Sequence, residues 1–484
     1  MLSSLSITDA HRKLKKKEIS AEELVQSCID RIEKIDSSIN AVVFRNFDSA
    51  LKEAKKIDSS GIFDHPLTGI PYLTKDNFCE AGVPTTACSR ILQDPVYIPP
   101  FDCTTTKRLK NVGAISIGKS NTDEFTMGSS TETSCFGPTS TPWDTTRVAG
   151  GSSGGSAAGV ASDECLFGLG TDTGSSIRLP ASFCGCTGLK VTYGRTSRYG
   201  VMSMASSLDT IGPLAKNVED IAIILRTIAG HDPYDATTGN IPVPDYPKHL
   251  TGVIKGMKIG LPREYFIDGL HTDIEQATKD AAKTFEKLGA TIIDISLPHT
   301  EYALPTYYII CPSEVSSNMA RYDGVRFGHS IKTPKHLIDY YERVRSEGFG
   351  DEIKRRIIIG TYLLSAGYFE AYYRKAQKVR TLITNDFDEA FKTVDVIIAP
   401  TSPNPPFGIG AHQNDPVAMY LEDILLTPQN LAGIPAISIP SGFSKKNLPI
   451  GLQIMGPHWE EGRMLNAGYA FQQATDWHTR KPPL

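Results

Sequence analysis

The sequence predicts an α/β fold: one domain, built on a large mixed and mostly parallel sheet with helices covering both faces. Three observations lead there. Short apolar runs recur at wide intervals, amphipathic helical patterns lie between them, and no polar linker is long enough to divide the chain. A length of 484 residues would by itself suggest two or three domains, so the single unit is read against that prior. With 40% hydrophobic and 21% charged residues, the composition is that of a globular protein with a sizeable core.

The elements follow in order. Ser20 with Glu23 makes a capping box, and Leu24, Cys28, Ile32 and Ile35 fall on one face, so residues 20–35 form an amphipathic helix within a helical N-terminal segment of 1–60. GIPYL (69–73), GAISIG (113–118), CLFGLG (165–170), MKIGL (257–261), DVIIAP (395–400) and AISIP (436–440) read as buried strands. Helical patterns at 272–288 and 366–385 separate the later ones.

Several function classes fall away. The 50 basic and 54 acidic residues leave a net charge of −4, too little positive field to hold nucleic acid without a partner. The run RKLKKK at 12–17 reads as a solvated helix face. Nine cysteines without a C-x-x-C pair suit a reducing, cytoplasmic compartment, and eleven histidines without H-E-x-x-H or finger spacing predict no metal site. The N-terminus lacks the apolar core of a signal peptide, and no uncharged apolar run reaches the ~18 residues that span a bilayer.

What remains is GGSSGGSAAGVASDECLFGLGTDTGSSIRLP, residues 150–180, rich in serine and free of histidine. Residues 151–155 match G-x-S-x-G, but the preceding TPWDTTRVAG is turn-rich rather than a strand, so the nucleophile elbow lacks its context. A phosphate cradle would need a following Gly-Lys-Ser/Thr, which is absent. Ser176 is better placed: it follows an apolar strand through GTDTG and precedes a helix, where the N–H groups of Thr173, Gly174, Ser175 and Ser176 can converge on a developing oxyanion. A lysine kept neutral by burial can act as its base, and Lys75 in GIPYLTKDNF is the candidate, although a lysine at a strand end is more often a surface residue. Ser152, donor and acceptor at once, can relay the proton.

GGSSGGSAAG, GTDTGSSIR and GIPYLTKDNF together resemble the three signature blocks of the amidase signature family. The resemblance implies a Ser-Ser-Lys triad with Ser176 as nucleophile, Ser152 as relay and Lys75 as general base. It also implies a cis peptide bond before Ser152, where Gly151 eases the crowding. The family usually has glycine where Ser175 stands. Toward the C-terminus, RSEGFGDEIKRRIIIG, DVIIAPTSPNPPFGIG and DPVAMYLEDILLTPQNLAGIPAISIP resemble the branch formed by the A subunits of glutamyl-tRNA(Gln) amidotransferases.

That branch implies glutamine as substrate, with Arg356 on its α-carboxylate, Asp423 on its α-ammonium, and Tyr307 or the adjacent Tyr308 lining the pocket. It further implies B and C subunits as partners, with Glu-tRNA(Gln) held mainly by B and ATP and Mg²⁺ used there, so that this chain binds no cofactor itself. A stand-alone amidase and a non-catalytic scaffold are the rival expectations. The first would not need Arg356 and Asp423 together, and the second would not need all three triad residues.

Overall fold

The computed structural model describes residues 1–484. Eleven strands form one sheet: β1 (Val42–Arg45), β2 (Pro71–Lys75), β3 (Ile115–Ser120), β4 (Phe167–Asp172), β5 (Thr187–Lys190), β6 (Thr210–Ala215), β7 (Lys258–Pro262), β8 (Thr291–Ile295), β9 (Val396–Pro400), β10 (Ala436–Phe443) and β11 (Pro449–Met455). Their spatial order is β1-β3-β2-β4-β6-β5-β10-β11-β9-β7-β8. All six expected strands are present, each within a few residues of its apolar run.

The sheet is mixed, but it is not mostly parallel. Four neighbouring pairs are parallel: β2 with β3 and with β4, and β7 with β8 and with β9. The remaining six are antiparallel. The correction has a physical cause. β5, β6 and β11 are interrupted or opened by glycine and proline, in TGLK, TIGPLA and PIGLQIM, and gave no apolar run to read. These strands supply most of the antiparallel centre.

Residues 1–60 carry three α-helices, Ile7–Lys15, Ala21–Ile39 and Phe47–Ser60, with β1 between the last two. Ser20 and Glu23 close the expected capping box. The helix expected at 272–288 spans Thr272–Lys287, and the one expected at 366–385 becomes a π-helical turn, Phe369–Tyr373, running into Arg374–Ala390. The apolar interior divides into clusters of 70 and 37 buried residues. The larger takes in the N-terminal helices and β2 to β6, and the smaller is organised by the helices Ala303–Met319, Asp351–Leu364 and Arg374–Ala390. The candidate site lies where the two meet. No helix is long and apolar enough to cross a membrane.

Candidate active site

Lys75 is the last residue of β2 and has no exposed surface. Its Nζ lies 2.7 Å from Ser152 Oγ and 3.0 Å from both Ser153 Oγ and Thr171 Oγ1. Burial pulls its pKa down to about 7, against the opposing charges of Asp123 and Asp172. A neutral amine has two N–H groups and one lone pair, and three hydroxyls surround it. Ser153 gives its own proton to the Thr171 carbonyl at 3.3 Å, so it can only accept from the amine. Thr171 Oγ1 accepts from Asn77 Nδ2 at 3.4 Å as well. Of the three hydroxyls, Ser152 lies nearest the amine.

Ser152 follows a cis Gly151–Ser152 bond, as the resemblance implies. A side chain at Gly151 would collide with Asp123 Oδ2 and the backbone nitrogens of Ser130 and Thr131, so only glycine fits. The Ser152 and Ser176 hydroxyls are not hydrogen-bonded to each other. Their loops are joined through the backbone, Ser153 N–H donating to the Ser176 carbonyl at 3.0 Å.

Ser176 stands between β4 and the helix Arg178–Cys184. Residues 173–176 are buried, yet their four N–H groups have no partner in the protein, and hydrogen bonding resumes only at Ile177 N–H, 3.1 Å from Asp172 Oδ2. Unpaired buried N–H donors in one turn are suited to a developing oxyanion. Two groups that sequence reasoning missed hold this turn. Arg178 pairs with Asp172 through Nε at 3.0 Å and Nη2 at 3.1 Å, and Nη2 also reaches the Gly174 carbonyl at 3.1 Å. Thr173 Oγ1 donates to Asp209 at 2.7 Å. The signal for the first was present, because Asp172 and Arg178 bracket the serine pair in GTDTGSSIR.

The residues assigned to amino-acid recognition converge beside this turn. Tyr307 packs on Gly174, where a Cβ would stand 2.8 Å from the tyrosine Oη. Tyr308 Oη donates to Asp423 Oδ2 at 3.1 Å and Ser129 Oγ to the same oxygen at 2.8 Å, while Asp423 Oδ1 is buried without a partner. Both tyrosines therefore belong to the site, with different contacts. Burial raises the Asp423 carboxyl above its usual range, opposed by the Ser175 and Ser129 hydroxyls and by the Arg356 charge.

Arg356 is buried, and its guanidinium lies 5.5 and 5.7 Å from the rings of Tyr308 and Tyr420. Its Nε donates to Glu352 at 2.7 Å, and Tyr420 Oη donates to the same carboxylate oxygen at 2.9 Å. Burial works against ionisation of Glu352, but Arg356, Tyr420 and Arg355 hold its pKa below the usual carboxylate range. The cation is therefore balanced mainly by Glu352 rather than by Asp423. Arg356, Glu352, Tyr420, Ser129 and Ser130 line an open cleft of about 560 Å³, which neither Ser152 nor Ser176 borders. No group of three or more His, Cys, Asp or Glu side chains is arranged to hold a metal ion.

A buried lysine–serine pair, a serine turn with free N–H groups and a mixed eleven-stranded sheet define an amidase. The family model described as Amidase matches residues 23–465, and the chain belongs to that family. It is 53% identical over 486 aligned residues to the A subunit of glutamyl-tRNA(Gln) amidotransferase from Geotalea daltonii, covering 100% of both chains. It is 52% identical to the protein of that name from Carboxydothermus hydrogenoformans, covering 99% of each. Among solved structures it is similar to the A subunit of glutamyl-tRNA(Gln) amidotransferase from Thermotoga maritima, with TM-score 0.81, 39% identity and coverage of 98% of this chain and 95% of that one. It is also similar to 6-aminohexanoate cyclic dimer hydrolase, with TM-score 0.88, 25% identity and 99% coverage of both.

Proposed function

We propose that this chain is the glutamine-hydrolysing A subunit of a glutamyl-tRNA(Gln) amidotransferase, using Ser176 as nucleophile, Ser152 as relay and Lys75 as base. The observation that carries the reading is a pair of buried opposite charges: Arg356, which lines the open cleft, and Asp423, which accepts from Ser129 of the same cleft and has one free carboxylate oxygen. Such a pairing suits a free amino acid. The full-length identity to A-subunit relatives supports it further. Overall shape does not separate this reading from a stand-alone amidase, because the cyclic dimer hydrolase superposes at least as well as the Thermotoga maritima protein.

In this reading Arg356 takes the glutamine α-carboxylate and Asp423 Oδ1 the α-ammonium. Lys75 removes the Ser152 proton as Ser152 takes that of Ser176, whose oxygen attacks the carboxamide carbon. The N–H groups of residues 173–176 hold the resulting oxyanion. The proton returns through the same relay to the departing nitrogen, and ammonia leaves a γ-glutamyl ester on Ser176. Water, deprotonated through the relay, cleaves that ester and releases glutamate. The ammonia serves a B subunit, which activates the tRNA-bound glutamate with ATP and Mg²⁺ in a complex completed by a C subunit. Such an assembly works in the cytoplasm.

The test is Ser176→Ala in the assembled complex. Glutamine-dependent amidation of Glu-tRNA(Gln) is expected to stop, while amidation driven by added ammonium chloride continues. Failure of ammonium to rescue would place Ser176 in the synthetase step and overturn the reading. Faster hydrolysis by the isolated chain of unrelated amides than of glutamine would replace it with a stand-alone amidase.

A further inference from the structure

Between β3 and the loop 128–139 lie two adjacent carboxylates, Asp123 and Glu124, neither of which carries a proton or touches glutamine in the mechanism above, Asp123 entering it only as a charge near Lys75. Both are almost completely buried, at 0% and 4% exposure. They face different halves of the site. Asp123 Oδ2 accepts from Thr131 N–H at 2.8 Å, and Oδ1 from the Thr133 hydroxyl at 3.0 Å. Thr131 in turn braces the relay loop on both sides of Ser152: its hydroxyl donates to the Gly150 carbonyl at 2.9 Å and accepts from Gly154 N–H at 3.1 Å. Asp123 Oδ2 also occupies the space that a Cβ at Gly151 would need.

Glu124 points the other way. Its Oε1 accepts from Ser89 Oγ at 2.5 Å and its Oε2 from Gly350 N–H at 2.9 Å. Gly350 is the N-cap of the helix Asp351–Leu364, which carries Glu352 and Arg356. The next two residues, Phe125 and Thr126, hold φ of 45° and 63°, a region that side chains disfavour. Local strain of this kind persists only where surrounding contacts over-determine it.

We infer that Asp123 and Glu124 are separate positioning residues for one active site, Asp123 setting the relay loop for catalysis and Glu124 setting the Arg356 helix for substrate binding. The inference rests on the roles proposed above for Ser152 and Arg356. An isosteric amide at 123 puts an N–H₂ against the donors of Thr131 or Thr133, and one at 124 does the same against Ser89 or Gly350.

The experiment is steady-state glutamine hydrolysis by the full chain with its partners, comparing wild type, Ser176→Ala, Asp123→Asn and Glu124→Gln. Asp123→Asn is expected to lower kcat roughly tenfold to a hundredfold with KM within about twofold. Glu124→Gln is expected to raise KM for glutamine about tenfold, with kcat within about twofold and inhibition by glutamate weakened in parallel. Thr131→Val and Ser89→Ala probe the same two struts if an amide variant does not fold, and Thr131→Ser, which keeps the hydroxyl, is expected to restore kcat. Equal changes in kcat and KM for both carboxylate variants, tracking a loss of thermal stability, would overturn the inference. Glutamine hydrolysis that persisted in Ser176→Ala would instead overturn the proposed function.

Discussion

The two halves of the site handle charge in opposite ways. Around Lys75 the nearest partners are hydroxyls, and burial drives the amine toward its neutral form at a pKa of about 7. Around Arg356 burial is just as deep, yet the guanidinium, far more basic than an amine, stays charged, with Glu352 2.7 Å away and two tyrosine faces over it. The same desolvation therefore yields a proton acceptor where an amine has only hydroxyls beside it, and leaves a permanent cation where a more basic guanidinium is paired with a carboxylate. The basicity of the side chain together with its partner, and not burial alone, decides which role a buried base takes.

Swapping the bases puts this contrast under the greatest load. Lys75→Arg restores a permanent charge among the hydroxyls and is expected to cost about 10²–10⁴-fold in kcat, nearly as much as Lys75→Ala. Steady-state assays check it, and an arginine variant with most of its activity would mean that charge, not proton transfer, is the contribution of Lys75. A pH profile probes the same group without a mutation. Because the pKa of Lys75 is lowered to about 7, the neutral fraction grows as pH rises, so kcat should climb through about pH 7 and level above it. A profile flat from pH 6 to pH 8 would contradict a lysine base.

The converse exchange, Arg356→Lys, keeps a charge but loses the planar fork. It is expected to raise KM for glutamine by about tenfold or more with a smaller change in kcat. A fall confined to kcat would move Arg356 out of recognition.

A more modest change concerns stability and uses a buried acid with no partner at all. Glu164 is fully buried, both carboxylate oxygens lack hydrogen bonds, and burial raises its pKa well above 4.5. In the folded protein it stays protonated where the unfolded chain has released its proton. Stability is therefore lost as pH rises above the unfolded value. Glu164→Gln should stabilise the chain by about 1 kcal/mol or more near neutral pH, with the gain vanishing below pH 4. Denaturant midpoints at pH 4 and pH 8 check it, and an equal effect at both would show that ionisation is not involved.

The relay half was legible in sequence because it is built from short blocks in which small residues are obligatory. Gly151 touches Asp123 and Gly174 touches Tyr307, so neither tolerates a side chain. The recognition half is assembled from Ser129, Tyr307, Tyr308, Arg356, Tyr420 and Asp423, whose spacing has no period. Arg356, Asp423 and one of the two tyrosines came from family resemblance alone. Glu352, Ser129 and Tyr420 escaped because a charge four residues before an arginine looks like any helical ion pair, and an isolated serine or tyrosine like any other. Thr171 and Ser153 lay inside the quoted blocks, but only the distances to Lys75 reveal their part. Strand direction was beyond reach where β5 and β6 are broken by glycine and proline, and with it the antiparallel centre of the sheet.

That the neutral lysine activates Ser176 and no other group is checked most sharply by locating the covalent intermediate. The chain, with its partners, is treated with a glutamine analogue bearing an electrophilic carbon in place of the carboxamide, digested, and the labelled peptide sequenced by mass spectrometry. One label is expected on Ser176 in the wild type, with almost none in Lys75→Ala and protection by excess glutamine. A label on Ser152, Ser153 or buried Cys88, or full labelling of Ser176 without Lys75, would contradict a lysine-activated Ser176.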